Sequence, residues 1–276
     1  MKKGKIASLI GVEGYASADF PGFLASAHGS PSRRAHQIGS SIAVLRQYYS
    51  LGVRYLTLTH TCHNPFADSC GTLPERWGGL SPLGHTLIEE MNRIGMLVDL
   101  SHTSDNTARQ ALRHSKAPVI WSHSSARAVH THERNVPDDV LAMIGTEEGK
   151  TDAVVMVNFA PDFVADPGKA DVKVVADHVE HIATVAGKKH VGLGSDFDGI
   201  GSTPEGLEDV SKYPDLIVEL AKRGWTGPEL ESLTNKNLLR VMKGAELVAK
   251  KLQDSGAEPS YELYDKRTDL PMKGEL

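Results

Sequence analysis

Apolar residues in this chain fall into short, nearly continuous runs, separated by stretches where they recur every three or four positions. The runs are KIASLIGVEG (5–14), VRYLTLTH (53–60), GMLVDLSH (95–102), APVIWSH (117–123), DAVVMVNF (152–159) and HVGLGSDF (190–197). Continuous runs of this length predict strands covered on both faces. The periodic stretches predict helices over 40–52, 81–95, 103–115, 136–145, 171–187, 213–224 and 227–252. Ser81-Pro82 and Gly95 punctuate the second of these as a start and a stop. From Gln253 to Leu276 the chain is a polar tail without a helix or strand signal.

Alternating strands and helices predict parallel βα units. Such units close either as an open doubly wound sheet or as a barrel, and the strand ends discriminate. Five runs finish on a chemically capable residue, namely Glu13, His60, His102, His123 and Asp196, and the sixth ends near Asn158. A barrel delivers every strand tip to one mouth, whereas an open sheet gathers its chemistry at one crevice. Tips spread over this many strands predict a TIM-like (β/α)8 barrel across residues 1–252, with about six of eight βα units present.

Composition narrows the function. With 30 Lys+Arg against 35 Asp+Glu, the net charge of −5 disfavours a nucleic-acid binder. Two cysteines, Cys62 and Cys70, are too few for a disulfide scaffold; a short-loop bridge and two reduced thiols both fit. No run approaches the ~20 apolar residues of a membrane span. The opening MKKGKIASLIGVEG reads as a strand rather than a signal peptide, so a cytoplasmic location is expected for the chain as it stands.

Histidine is abundant, at 13 residues, and placement sorts them. Glu13, His102, His123 and Asp196 at converging strand tips suit zinc or a similar first-row metal. Asp99, inside the 96–105 stretch MLVDLSHTSD, reads as a brace for its own loop or for a neighbouring histidine, not as a ligand. His36 and His63 read as loop residues. His85, His114, His178 and His181 lie in helical patterns and read as solvated or capping, and His130 and His132 as surface residues. Ser124-Ser125 lacks the G-x-S-x-G elbow of serine hydrolases.

The strings IGVEG, RYLTLTH, GMLVDLSH, APVIWSHSSARAV, ERNVPDDVL, VMVNF, VGLGSDFDG and PEGLEDVSKYPDLI, in order over about residues 4–250, resemble the membrane (renal) dipeptidase family, the binuclear-zinc M19 metallopeptidases. The resemblance implies a (β/α)8 barrel with two zincs per chain that cleaves dipeptides and tolerates a D-residue at the C-terminal position. By position, Glu13 resembles the carboxylate bridging the two metals, and His102 and His123 the imidazoles on the second. His60 resembles the histidine that contacts substrate and steadies the oxyanion. Arg134 resembles the arginine that holds the substrate carboxylate, and Asp196 the acid/base residue, which also contacts substrate.

Two departures qualify the expectation. No His-x-Asp precedes Glu13, so the ligands Glu13, His102 and His123 predict a three-ligand site for one zinc, and the alternative is a catalytically inactive dipeptidase-like remnant. The stretch 15–34, YASADFPGFLASAHGSPSRR, is an insertion that reads as a surface loop or a gene-model artefact rather than a lid. A deaminase or phosphotriesterase-like barrel shares the ligand chemistry but lacks the matching strings. The expected partner is a dipeptide, without nucleic acid or a membrane span; a homodimer is compatible.

Overall fold

A computed structural model describes residues 10–13 and 38–263. The predicted loop at 15–34 and the start of the first strand lie outside the described residues. Six parallel strands form one sheet in the order β1 (Ile10–Val12), β2 (Val53–Thr57), β3 (Leu97–Asp99), β4 (Val119–Trp121), β5 (Ala153–Val157) and β6 (Val191–Leu193). Each pairs in parallel with the next in sequence. This is the strand order of a TIM-like barrel left incomplete, with β1 and β6 as edges among the described residues.

The crossover helices are α1 (Ile42–Ser50), α2 (Pro82–Ile94), α3 (Asp105–His114), α4 (Asp138–Leu141), α5 (Pro161–Val164), α6 (Val172–Val185) and α7 (Tyr213–Lys222). Their ends follow the expected chemistry. Ser81 caps α2 by accepting from Gly84 N, and Gly95 closes it in the left-handed region at φ 83°. Ser104 caps α3 and Asp171 caps α6 in the same way. The segment 136–145, predicted as a helix, is helical only over Asp138–Leu141, because Pro137 starts it late and a tight turn through Met143 and Ile144 ends it. The helix predicted over 227–252 is α8 (Gly227–Glu231) and α9 (Asn237–Asp254), joined by a π-helical turn at Ser232–Lys236. Beyond α9, Ser260 takes a bond from Arg46 (2.6 Å) through its carbonyl and gives one to Glu90 (3.2 Å) through its amide.

Burial on both faces follows from the runs. On β3, β4 and β5, Val98, Val119, Trp121, Val155 and Val157 face the main helix-covered core. Leu97, Ile120, Val154 and Met156 face inward and meet Val241 and Ala245 of α9 in a second cluster. α9 therefore closes the lower end of the strands, opposite their C-terminal tips. Counting by twos along the inward face leads from Leu97 to Asp99 and from Ile120 to Ser122. The interior thus turns from apolar to polar on the way to the mouth. Glycine keeps the inside clear: a Cβ at Gly11 would sit 1.9 Å from the Tyr55 ring, and one at Gly194 would sit 1.9 Å from the Ser122 carbonyl oxygen.

Candidate metal centre

At the C-terminal ends of the strands, side chains from five of the six strand tips meet. Glu13 follows β1 directly, and its Oε1 lies 3.0 Å from His102 Nε2 and 3.4 Å from His123 Nε2. The two Nε2 atoms are 2.9 Å apart. The His60 ring stacks on His102 with centroids 4.2 Å apart, and a His60 nitrogen lies within 4.8 Å of ligand atoms on both Glu13 and His102. Asp196 Oδ2 reaches to 4.0 Å from His123 Nε2 and accepts from Asn158 Nδ2 at 3.4 Å. Arg134, on the loop before α4, donates to the His123 carbonyl (3.2 Å), and its guanidinium lies over Phe163 at 5.4 Å. These residues line a cavity of about 420 Å³, together with Phe163 and Ile200.

The backbone at the tips is held in uncommon conformations. His102 and Asp196 both have φ 65°, in the left-handed region. Non-glycine residues there cost of order 1–3 kcal/mol and persist where surroundings enforce them. For His102 the enforcement is visible: its carbonyl accepts from Thr59 Oγ1 (3.0 Å) and Cys70 N (2.9 Å). At Asp196 the carbonyl accepts from Gly199 N (2.9 Å), closing the DFDG turn.

Electrostatics keeps the imidazoles uncharged. Burial lowers the His102 pKa to about 2, helped by the nearby Arg134 and His60. Burial and Arg134 lower His123 to about 4, against an opposing pull from Glu13. Burial lowers His60 as well. Burial, then the Glu13 carboxylate, pushes Asp196 above the usual range for aspartate. Neutral imidazoles are the form that ligates metal. A tetrahedral zinc with bonds of ~2.0–2.1 Å spaces its donors about 3.4 Å apart. The three separations among Glu13, His102 and His123, 2.9 to 3.4 Å, fit that spacing with small relaxation. The donor set of one carboxylate and two imidazoles is also a zinc set in kind.

Among the sequence-expected residues, Glu13, His60, His102, His123, Arg134 and Asp196 share one cavity. Asp99 stays fully buried below it, bonded to Thr57, Ser101 and Ser122. Two histidine readings change. His178, read as solvated or capping, is fully buried; its Nδ1 accepts from Ala126 N at 3.0 Å and its Nε2 lies 2.9 Å from the Val164 carbonyl. His132, read as a surface residue, is half-buried, stacks on Phe163 at 4.4 Å and accepts from Arg134 N at 3.1 Å, so it steadies the Arg134 loop. Sequence reasoning also passed over Ser122, whose one signal is its inward parity with Ile120, and Phe163, which carries no motif. His63 is a loop residue, near Pro74 O at 3.0 Å and Ser69 N at 3.1 Å. Cys62 and Cys70 form no disulfide with one another. No helix among the described residues is long and apolar enough to cross a membrane.

Comparison with known proteins gives the family and the fold. The family model for membrane dipeptidase, peptidase family M19, matches residues 30–256. An uncharacterized dipeptidase of Schizosaccharomyces pombe is 50% identical over 97% of this chain and 62% of its own length. Dipeptidase aclJ of Aspergillus oryzae is 47% identical over 91% of this chain and 54% of its own. The chain thus spans somewhat more than half the length of these curated relatives. Among solved structures, a metallopeptidase of Rhodobacter sphaeroides liganded with a phosphinate mimic of L-Ala-D-Ala is 30% identical, with a TM-score of 0.66 over 73% of this chain and 58% of that one. A dipeptidase described as a family M19 metallopeptidase is 31% identical, with a TM-score of 0.65 over 73% and 61%. The chain belongs to the membrane dipeptidase family, peptidase family M19.

Proposed function

We propose that the cavity is a zinc site for hydrolysing dipeptides, with Glu13, His102 and His123 as the metal ligands. The convergence of their three donor atoms within 3.4 Å, from three separate strand tips, carries this reading. Bound zinc lowers the pKa of its water from ~16 toward ~7 and so makes a nucleophile available at neutral pH. The rest falls to the chain itself. Arg134 is the cationic donor that holds the free carboxylate of the dipeptide, with its guanidinium plane steadied over Phe163. His60 orients the scissile carbonyl and donates toward the oxygen on which charge develops. Asp196, whose acid form is favoured by burial, takes a proton and passes it to the leaving amine.

The cavity volume of about 420 Å³ accommodates a dipeptide. The Rhodobacter sphaeroides relative, bound to a mimic of L-Ala-D-Ala, supports testing dipeptides with a D-residue at the C-terminal position. The experiment is hydrolysis of L-Ala-L-Ala and L-Ala-D-Ala by the purified chain, with zinc supplied and with zinc chelated. Zinc-dependent turnover supports the reading; zinc binding without turnover supports the inactive remnant.

A further inference from the structure

We infer that Asp99 and Ser122 form a relay that fixes the tautomer and the aim of the His123 ring. The inference rests on the zinc reading of the site and adds two positioning residues to it. It follows from counting hydrogens. The Ser122 hydroxyl lies 2.5 Å from Asp99 Oδ2 and 2.7 Å from His123 Nδ1. A hydroxyl has one hydrogen, so it donates to only one of them. Asp99 is ringed by donors: its Oδ1 accepts from Ser101 N (3.1 Å) and Ser122 N (2.8 Å), and its Oδ2 from Thr57 Oγ1 (2.6 Å). A carboxylate in that setting accepts only. The Ser122 hydrogen therefore points at Asp99, and its oxygen is left to accept from His123 Nδ1. With the hydrogen on Nδ1, the His123 lone pair is on Nε2, which faces Glu13 Oε1 at 3.4 Å.

The relay also locks position. The His123 amide donates to Ser101 Oγ (3.0 Å), and its carbonyl accepts from Arg134. Thr57, Asp99, Ser101 and Ser122 thus tie the tips of β2, β3 and β4 together beneath the ring. Orienting partners of this kind typically change metal affinity 10- to 100-fold when removed.

Nitrogen NMR of labelled histidine in the metal-free full chain reads the tautomer directly. The expected spectrum has His123 protonated at Nδ1 and bare at Nε2. Ser122→Ala is expected to weaken zinc binding 10- to 100-fold in a chelator competition, while the metal-free chain still unfolds in one cooperative transition. Ser122→Thr, which keeps the hydroxyl, is expected to restore the affinity. A wild-type His123 protonated at Nε2 overturns the relay, as does a Ser122→Ala chain that binds zinc as tightly as wild type. If the variant fails to fold, the wild-type spectrum decides alone. A wild type that binds no zinc overturns the reading of the site, and the spectrum still decides the relay.

Discussion

His102 Nε2 and His123 Nε2 stand 2.9 Å apart, although the two rings leave different strands and are separated by a helix in sequence. Neither ring takes up a proton readily, because burial lowers their pKa values to about 2 and about 4. Two neutral nitrogens and the Glu13 carboxylate at this spacing are the donor set of the proposed zinc site. Replacing His102 by alanine should weaken zinc binding at least ~100-fold, more than loss of an orienting partner does. Equilibrium dialysis against zinc checks it, and unchanged affinity would remove His102 from the ligand set.

Asp196 should separate metal binding from catalysis. It touches the centre at 4.0 Å from His123 rather than within the ligand cluster. Asp196→Asn keeps the shape and loses the proton carrier, so zinc content should stay and kcat should fall by roughly 10²–10⁴-fold. A variant that retains turnover would show that the proton travels another way.

Arg134 should be felt through the substrate carboxylate. A charge-assisted hydrogen bond is worth about 1.5–3 kcal/mol, so Arg134→Ala should lower kcat/KM by roughly 10- to 150-fold for free dipeptides. C-terminally amidated dipeptides, which lack that carboxylate, should lose much less. Equal losses for both substrates would place Arg134 elsewhere in the reaction.

Stability of the metal-free chain should fall in acid for a reason the site shares with the core. Burial lowers His178 from 6.5 to about 4 in the folded chain, although its bond to the Val164 carbonyl opposes the shift. Between those values the unfolded chain binds the extra proton, so stability rises with pH through the window. The His178 contribution is fully present above its unfolded pKa and is lost as pH falls toward its folded one, amounting to roughly 3 kcal/mol. Urea unfolding at about pH 7 and about pH 4, compared between the wild type and His178→Gln, separates it from the histidines of the site. The same pH dependence in both chains would contradict the buried, neutral state of His178.

The strand tips were legible because they obey two local rules at once: an apolar run, then a polar residue of chemical use. That pattern located Glu13, His60, His102, His123 and Asp196, and the family strings added Arg134. The placement of α9 was not legible. Val241 and Ala245 have ordinary helical spacing, and only the completed fold shows that they close the lower end of the strands against Leu97, Ile120 and Val154. His178 escaped for a related reason: it sits on an amphipathic helix, and its two partners are Ala126, on the loop after β4, and Val164, at the end of α5. Left-handed backbone at His102 and Asp196 leaves no trace in composition, since the carbonyl partners that impose it are set by tertiary contacts.

X-ray absorption at the zinc edge of the loaded chain counts the ligands of the metal without relying on turnover. Light-atom scatterers are expected at ~2.0–2.1 Å with the outer-shell signature of two imidazoles. That signature should drop to one imidazole in either His102→Ala or His123→Ala. A spectrum without imidazole scattering, or one that neither substitution changes, would contradict a metal held by these strand tips.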